Sequence, residues 1–502
     1  AHTGITSNSY HVTGDDFYWY RRGYDEPMDD AEPVWVTASN AGLTTASVFF
    51  VGGAPALAGQ MADYTIGYGI EDAYSKQLEV SLSDAEGWSD IPQSFSPPLT
   101  GSFSIQDVGT VHLYVLDSTD DNMANHDTVI LNTERSGLKP AEVLKESEWG
   151  SLILLKRAFA GAEFLIQEIT PERVTLYHTG VEHNTASPAE LLKALNEKFG
   201  TFPAGGDSYA LEYGWITEED FLYLLERQSV FMAEVAAWVY KTYHPDLMYT
   251  WQDPFDAAGH QFLMTDPRQL SYSEDSAAIY EGYYNHSAEI ADSSLSIMMD
   301  AIDLDDTTVL LVGDHGMAPI HSNVFVNTIL EEAGLLTLDN QNYMVLGQTK
   351  AFAIASGGAV HVYINLEGRE IGGGTVPANE YSAIQAQIVG LLTNLTDPET
   401  GLAVFQRVLP RSELASLGLD HPNSGDVFAQ ANPGYHLDGW RGNDFVFSPT
   451  DFYGQHGYDS NLPEMHTIFI AAGYGVPLSN ICLLYTSPSP RDRTRSRMPS
   501  SA

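Results

Sequence analysis

The sequence has little cysteine, little basic charge and no long apolar run. Its 502 residues contain 1 Cys, Cys482, so an intramolecular disulfide and a thiolate-rich metal site are excluded. Any metal must therefore be held by histidine and carboxylate side chains. No uninterrupted apolar run reaches the roughly 18 residues that a membrane-spanning helix needs, so no membrane span is predicted.

Acidic residues greatly outnumber basic ones. The chain has 23 Lys and Arg against 67 Asp and Glu, which gives a formal net charge of −44 at pH 7. Nucleic acid and anionic membranes are therefore poor partners for the bulk of the surface. Salt screens the repulsion within such a surface, so the composition suits a halophilic protein, although acidic secreted proteins of ordinary habitats are similar. Aromatic residues make up 11% of the chain, which argues against disorder despite the charge imbalance.

Both ends of the chain depart from an ordinary gene product. It starts with Ala-His-Thr-Gly and no Met, so we expect a fragment or a processed start, and a signal peptide would lie in the missing part. After Ile481 the sequence becomes rich in Ser, Pro and Arg. Residues 482–502 resemble a translated sequencing adapter, and we expect them to be artefactual. A natural basic tail is the alternative.

The order of elements predicts an α/β protein. In residues 1–70 and 217–481, segments with helical spacing alternate with short apolar runs, among them 307–312 and 467–472. Continuous apolar strands are typical of parallel sheets that are buried on both faces, so we expect a doubly wound core. Residues 71–216 are instead rich in turns and short strands, and we predict a β-rich insertion or cap there.

Carboxylate and imidazole side chains lie next to the predicted core strands. They are Asp253, Asp256, His260, Asp314, His315 and His456. Ligands of doubly wound sheets bind at the carboxyl ends of the strands, so we expect these side chains to meet at one edge of the sheet. Nitrogen and oxygen donors without thiols favour zinc over magnesium or calcium. Each motif alone also has a purely structural explanation, and it is their joint occurrence that indicates a metal site.

Three segments resemble the motifs of a known family. The sequence Gly-Asp-His-Gly-Met at 313–317 resembles the signature of the alkaline phosphatase superfamily. The segments 256–260 and 455–459 resemble ligand segments of its nucleotide pyrophosphatase/phosphodiesterase branch. The likeness covers roughly residues 1–60 and 235–481. It implies an alkaline-phosphatase-like core, with the first strand and the nucleophile turn of the family missing from this chain.

The resemblance also implies roles for individual residues. Asp256, His260 and His456 would bind one zinc ion. Asp314 and His315 would bind a second zinc ion, together with residues that the family carries earlier in the chain. The expected cofactor is therefore a pair of zinc ions.

Two features depart from the pattern of the family. No segment before Gly14 matches the upstream Asp or the Thr or Ser nucleophile, so we expect the nucleophile to precede the first residue and this fragment to be inactive. The stretch that ends at Asn8 resembles the one that follows the nucleophile, and Asn8 would contact the phosphate. Phe255 stands where the family usually has Pro, which makes Asp253 a weaker alternative to Asp256 as a ligand.

The implied function is that of a zinc-dependent phosphoric ester hydrolase of the phosphodiesterase or nucleotide pyrophosphatase type. Two zinc ions would support an in-line displacement on a small phosphate ester, through a phosphoryl-enzyme. A phosphomonoesterase or a cofactor-independent phosphoglycerate-mutase-like enzyme of the same superfamily is an alternative. An acidic, non-catalytic surface or binding protein with a vestigial site is another. A periplasmic or extracellular location is favoured, and the sequence predicts neither the substrate nor the oligomeric state.

Overall fold

The computed structural model describes residues 3–24, 26–28, 30–57, 59–155, 158–477 and 483–485. The chain divides into two units, and each is described by itself. The first unit comprises Ala1–Pro33, Ala258–Tyr284 and Ile302–Ala502, and the second comprises Val34–Ala257 and Asn285–Ala301. The predicted domain boundaries near residues 70, 216 and 481 stay predictions. The predicted artefactual tail, 482–502, lies outside the described residues apart from the backbone of 483–485.

The helices and strands of the described residues are numbered in chain order. The helices are α1 (Val34–Asn40), α2 (Ala189–Phe199), α3 (Ser208–Glu212), α4 (Glu218–Tyr243), α5 (Pro254–Phe262), α6 (Glu274–Met299), α7 (Val326–Glu332) and α8 (Tyr381–Thr393), with short 3-10 helices at Arg411–Leu417 and Pro463–Met465. The strands are β1 (Ser9–Tyr10), β2 (Arg21–Arg22), β3 (Thr45–Val48), β4 (Tyr64–Ala73), β5 (Lys76–Ser81), β6 (Ser83–Asp84), β7 (Leu99–Ile105), β8 (Gly109–Leu116), β9 (Thr128–Asn132), β10 (Glu142–Leu144), β11 (Trp149–Leu155), β12 (Ala160–Ile169), β13 (Arg173–His178), β14 (Val181–Ser187), β15 (Leu247–Thr250), β16 (Thr308–Val312), β17 (Ala318–Phe325), β18 (Ala351–Ser356), β19 (Ala359–Ile364), β20 (Phe405–Pro410), β21 (Val427–Ala431), β22 (Gly434–Asp438), β23 (Phe447–Pro449), β24 (Gly454–Gln455), β25 (Thr467–Gly473) and β26 (Leu483–Tyr485).

The second unit is built on an eight-stranded sheet. Its strand order is β15-β3-β4-β14-β12-β13-β5, and β11 pairs with β12. The pairs β15–β3 and β3–β4 are parallel, whereas the strands of the β-rich region pair antiparallel. A further antiparallel sheet has the order β10-β9-β8-β7-β6. These antiparallel strands give the second unit its β-rich character, in agreement with the predicted α/β fold class.

Helix α4 shows how local sequence sets the ends of an element. The hydroxyl of Thr217 accepts a hydrogen bond from the backbone N of Asp220 (3.2 Å), and the Asp220 carboxylate accepts one from the backbone N of Thr217 (3.1 Å). His244 ends the helix in the left-handed conformation, with φ at 47°. Between these ends, buried residues such as Met232 and Val235 recur every three or four positions and pack in one apolar cluster with β3.

The first unit contains several smaller sheets. One has the order β18-β19-β21-β20, and in another β17 pairs parallel with β22 and antiparallel with β23 and β24. An apolar cluster joins β18, β19 and β21 to α7 and α8. Helices and strands occur in both units, so the predicted α/β class is confirmed. Within the part of the chain that the structure describes, no helix combines the length and apolar character needed to cross a membrane.

Two strands differ from their prediction. The apolar runs at 307–312 and 467–472 predict buried strands of a parallel sheet, but β16 and β25 pair antiparallel with each other. The side chains of Leu310 and Val312 are 59% and 58% exposed. The prediction is wrong because an apolar run does not encode the direction of its partner strand. Among the described residues, β16 is also an edge strand with β25 as its neighbour, which leaves part of its surface uncovered.

A buried carboxylate ties several segments of the first unit together. Asp426 precedes β21 and has 0% exposure. Its Oδ2 accepts hydrogen bonds from the backbone N of Ile364 (2.6 Å) and from Nη2 of Arg369 (2.8 Å). Its Oδ1 accepts from Nη1 of Arg369 (2.8 Å) and from the hydroxyl of Tyr381 (2.9 Å). This bidentate pair and the further donors offset the cost of burying the charge.

Removing this carboxylate should destabilise the first unit. In Asp426→Ala, the Arg369 guanidinium, whose side chain is 19% exposed, loses its bidentate partner, and breaking a buried pair in this way costs about 3–5 kcal/mol. Urea unfolding followed by tryptophan fluorescence measures the loss. The matched control is Asp420→Ala at an exposed position, which should change the free energy of unfolding by less than about 0.5 kcal/mol. Equal stabilities of the two variants would contradict this account.

Candidate metal centre

Helix α5 carries two of the predicted ligands. Asp256 lies in its first turn and His260 in its last turn, and their spacing of four residues places both on one face. The Nδ1 of His260 donates a hydrogen bond to the carbonyl oxygen of Gly454 (2.8 Å). This bond orients the imidazole and leaves Nε2 as its metal-binding atom. The division between the two units falls after Ala257, within α5, and the helix is continuous there.

His315 and His456 stack on each other. Their ring centroids are 3.6 Å apart, and the ring planes differ by 13°. His315 follows β16, His456 follows β24, and both side chains are half-buried. A side chain at Gly316 would place its Cβ 2.0 Å from the carbonyl oxygen of Glu464. Only glycine at this position lets the two segments approach so closely.

Three side chains lie close enough to share one metal ion. The ligand atoms of Asp256, His315 and His456 are all within 4.8 Å of one another. The ring centroid of His260 is 5.3 Å from that of His456. Asp314 is 66% exposed, and its Oδ2 is 3.5 Å from Nε2 of His315. His315, which is predicted to bind the second zinc ion, therefore lies beside Asp256 and His456, which are predicted to bind the first. The division of these ligands between two zinc sites stays a prediction.

Burial and neighbouring imidazoles disfavour a positive charge on His456 and on His436. Burial and three neighbouring imidazoles lower the pKa of His456 to about 3. These neighbours are His315, His260 and His436. Burial likewise lowers the pKa of His436, with a further contribution from His260. Neutral imidazole is the form that binds a metal, so the lowered pKa of His456 favours the form of this side chain that can act as a ligand.

His436 is a residue of this site that the sequence analysis misses. It lies on β22, and its Nδ1 accepts a hydrogen bond from Nε2 of Gln455 (3.0 Å), the residue before His456. Strand β17 pairs with both β22 and β24, which brings His436 close to the late motif. No motif surrounds His436 in the sequence, so only the strand pairing reveals it.

Two other predicted residues, Asn8 and Asp253, are not part of the group formed by Asp256, His315 and His456. Asn8 is exposed, and its carbonyl oxygen accepts a hydrogen bond from the backbone N of Gly23 (2.8 Å). Its contact with phosphate stays a prediction. Asp253 accepts a hydrogen bond from the hydroxyl of Tyr68 (3.2 Å), and burial raises the pKa of this carboxyl to about 6. Asp256 is therefore the better-placed carboxylate for a metal.

The family of the chain follows from its sequence. The sequence model of the family described as type I phosphodiesterase / nucleotide pyrophosphatase matches residues 1–459, a range that includes every predicted metal ligand. The chain therefore belongs to this family. The predicted resemblance to the nucleotide pyrophosphatase/phosphodiesterase branch is confirmed.

Solved structures match part of the chain. Human ectonucleotide pyrophosphatase / phosphodiesterase 5 is 15% identical, with a TM-score of 0.29 over 51% of this chain and 52% of its own. Phosphonoacetate hydrolase from Sinorhizobium meliloti 1021, in complex with phosphonoacetate, is 16% identical, with a TM-score of 0.28 over 50% of this chain and 52% of its own. The chain thus spans about half the length of these structures. No curated protein matches the sequence.

Replacing His456 should weaken metal binding. Changing a residue that merely supports a ligand typically lowers metal affinity about 10- to 100-fold, so we expect His456→Ala to lower zinc affinity at least about tenfold. Equilibrium dialysis against zinc, followed by elemental analysis, measures the change. The control is His286→Ala, which removes a histidine of α6 that is paired with Glu289 (2.8 Å). Equal zinc affinities of the two variants would contradict the assignment of His456.

Proposed function

We propose that the chain is part of a zinc-dependent hydrolase of small phosphate diesters. The observation that carries the proposal is the approach of the Asp256, His315 and His456 ligand atoms to within 4.8 Å of one another. This group occurs in a chain of the type I phosphodiesterase / nucleotide pyrophosphatase family. The substrate class is therefore inferred from the family, and the place of the chemistry from the side chains.

The donor atoms of this group suit zinc. Two imidazole nitrogens and one carboxylate oxygen form a common ligand set for catalytic zinc, which keeps a further coordination position for water or substrate. The neutral state of His456, which its lowered pKa favours, matches this role. When bound, the ion polarises a phosphoryl oxygen and lowers the pKa of an oxygen nucleophile.

Residues around the ligands hold them in position. The carbonyl oxygen of Gly454 orients His260 through its Nδ1. The side chain of Gln455 joins two imidazole-bearing residues, because its Oε1 accepts from the backbone N of His456 (2.9 Å) and its Nε2 donates to His436 (3.0 Å). Such supporting hydrogen bonds fix the direction of each ligand atom. They also lower the entropic cost of ordering the ligand side chain when a metal ion binds.

The proposal extends to a second zinc ion at Asp314, which the resemblance pairs with His315, although His315 is assigned to the first ion in this arrangement. Asp314 Oδ1 accepts a hydrogen bond from the backbone N of His315 (3.0 Å), and its side chain is largely exposed. Two ions would support an in-line displacement at phosphorus that passes through a phosphoryl-enzyme. Asn8 would contact the phosphate in this proposal. None of the described residues is assigned the role of nucleophile.

The proposed activity is tested with one diester and one monoester. We expect the natural gene product that contains these residues to hydrolyse bis-p-nitrophenyl phosphate faster than p-nitrophenyl phosphate, and a zinc chelator to abolish both rates. His456→Ala should lower kcat/KM at least about 100-fold, because loss of a ligand should exceed the effect of losing a residue that supports one. Initial rates at saturating zinc measure the change, with the 502-residue chain assayed alongside.

His286→Ala is again the control and should keep the rate of the unmodified protein. A gene product that binds zinc but hydrolyses neither ester would contradict the proposed function and leave the metal centre intact. Equal rates for the gene product and the 502-residue chain would place the nucleophile within these 502 residues.

A further inference from the structure

The second unit contains a cavity of about 560 Å³ whose lining includes none of the proposed metal ligands. One wall is a face of α4, and a second is formed by β11 and β12. Residues 199–204, the last residue of α2 and the loop after it, contribute the third wall. Aromatic side chains occur on two of these walls: Phe199, Phe202, Tyr223 and Phe231.

A buried carboxylate in this cavity has one oxygen without a partner. Glu163 on β12 is 4% exposed and lines the cavity. Its Oε1 forms an ion pair with Nη2 of Arg227 on α4. Its Oε2 is buried and has no hydrogen-bond partner among the described residues. Buried carboxylate oxygens are normally bonded, so this one calls for a donor that the cavity itself does not supply.

The guanidinium of Arg227, which pairs with Oε1 of Glu163, also contacts Tyr223. Nη1 of Arg227 donates a hydrogen bond to the hydroxyl of Tyr223 (3.3 Å), and the guanidinium lies 5.8 Å from the centroid of the Tyr223 ring. The contacts of Arg227 are therefore with Tyr223 on α4 and with Oε1 of Glu163. The second oxygen is buried without a partner, in a side chain that lines the cavity.

The charges around the cavity favour a cation. Glu226 and Glu234 are exposed and also line it, so the described lining residues carry three carboxylates against one guanidinium, that of Arg227. The aromatic faces of the walls attract organic cations. The group of described residues that could hold a metal ion is the one at His315 and His456, not the carboxylates of this cavity. An ammonium group therefore fits better than a metal ion.

We propose that this cavity binds a small primary amine in its ammonium form. The ammonium N–H donates to Oε2 of Glu163, and the apolar part of the ligand packs between the aromatic side chains of α4 and of residues 199–204. The cavity volume of about 560 Å³ accommodates a molecule with one aromatic ring. This site is additional to the proposed phosphodiesterase site.

The test uses 2-phenylethylamine and two ligands of nearly the same shape. Isothermal titration calorimetry on the full chain should show saturable binding at one site for the amine. Neutral 2-phenylethanol should bind at least about tenfold more weakly, and anionic 3-phenylpropanoate should show no saturation. Glu163→Gln should weaken binding of the amine at least tenfold, whereas Glu234→Gln, at the exposed rim, should change it by less than threefold. No saturable binding of the amine, or equal affinity in Glu163→Gln, would overturn the proposal.

Two further variants keep the test decisive. Val230→Phe fills the cavity from α4 and leaves Glu163 in place, so it should abolish binding of the amine even where Glu163→Gln fails to fold; unchanged affinity would overturn the proposal. His456→Ala should leave affinity for the amine unchanged. A loss of amine binding in His456→Ala would place the amine at the metal centre and overturn the assignment to this cavity.

Discussion

Close backbone contact between three chain segments is the constraint on which the metal centre depends. A Cβ at Gly316 would lie 2.0 Å from the carbonyl oxygen of Glu464, and a Cβ at Gly454 would lie 2.3 Å from the carbonyl oxygen of Gly259. Glycine at these positions removes the side chain that would hold the segments apart. Helix α5, the turn after β16 and the segment after β24 can then approach one another. The proposed ligands converge because the backbones that carry them are in contact.

This convergence has an electrostatic consequence. Burial and neighbouring imidazoles lower the pKa of His456 to about 3, so a proton is disfavoured where a metal would bind. The unprotonated nitrogen of His456 is then available to a divalent cation, beside the carboxylate side chain of Asp256. The protein as a whole carries a formal charge of −44, which repels anions such as phosphate esters. A cation at this centre would supply the positive charge that the rest of the surface lacks.

The parts of the fold and site that could be predicted are those with local signals. Helix α4 has a cap at Thr217, a regular apolar stripe and a clear end, all of which lie in its own sequence. The proposed ligands lie in short motifs whose residues are adjacent in sequence. Other features depend on pairing between distant segments, which leaves no local signal. The antiparallel pairing of β16, the place of His436 and the cavity at Glu163 all belong to this group.

The central claim is that Asp256, His315 and His456 bind one metal ion. The most direct measurement is diffraction from zinc-loaded crystals of the chain, at wavelengths on either side of the zinc absorption edge. The account predicts an anomalous peak about 2.0–2.2 Å from one oxygen of Asp256 and from one nitrogen of each imidazole. A zinc-loaded crystal whose anomalous peaks all lie elsewhere, with these three side chains contacting none of them, would contradict the account.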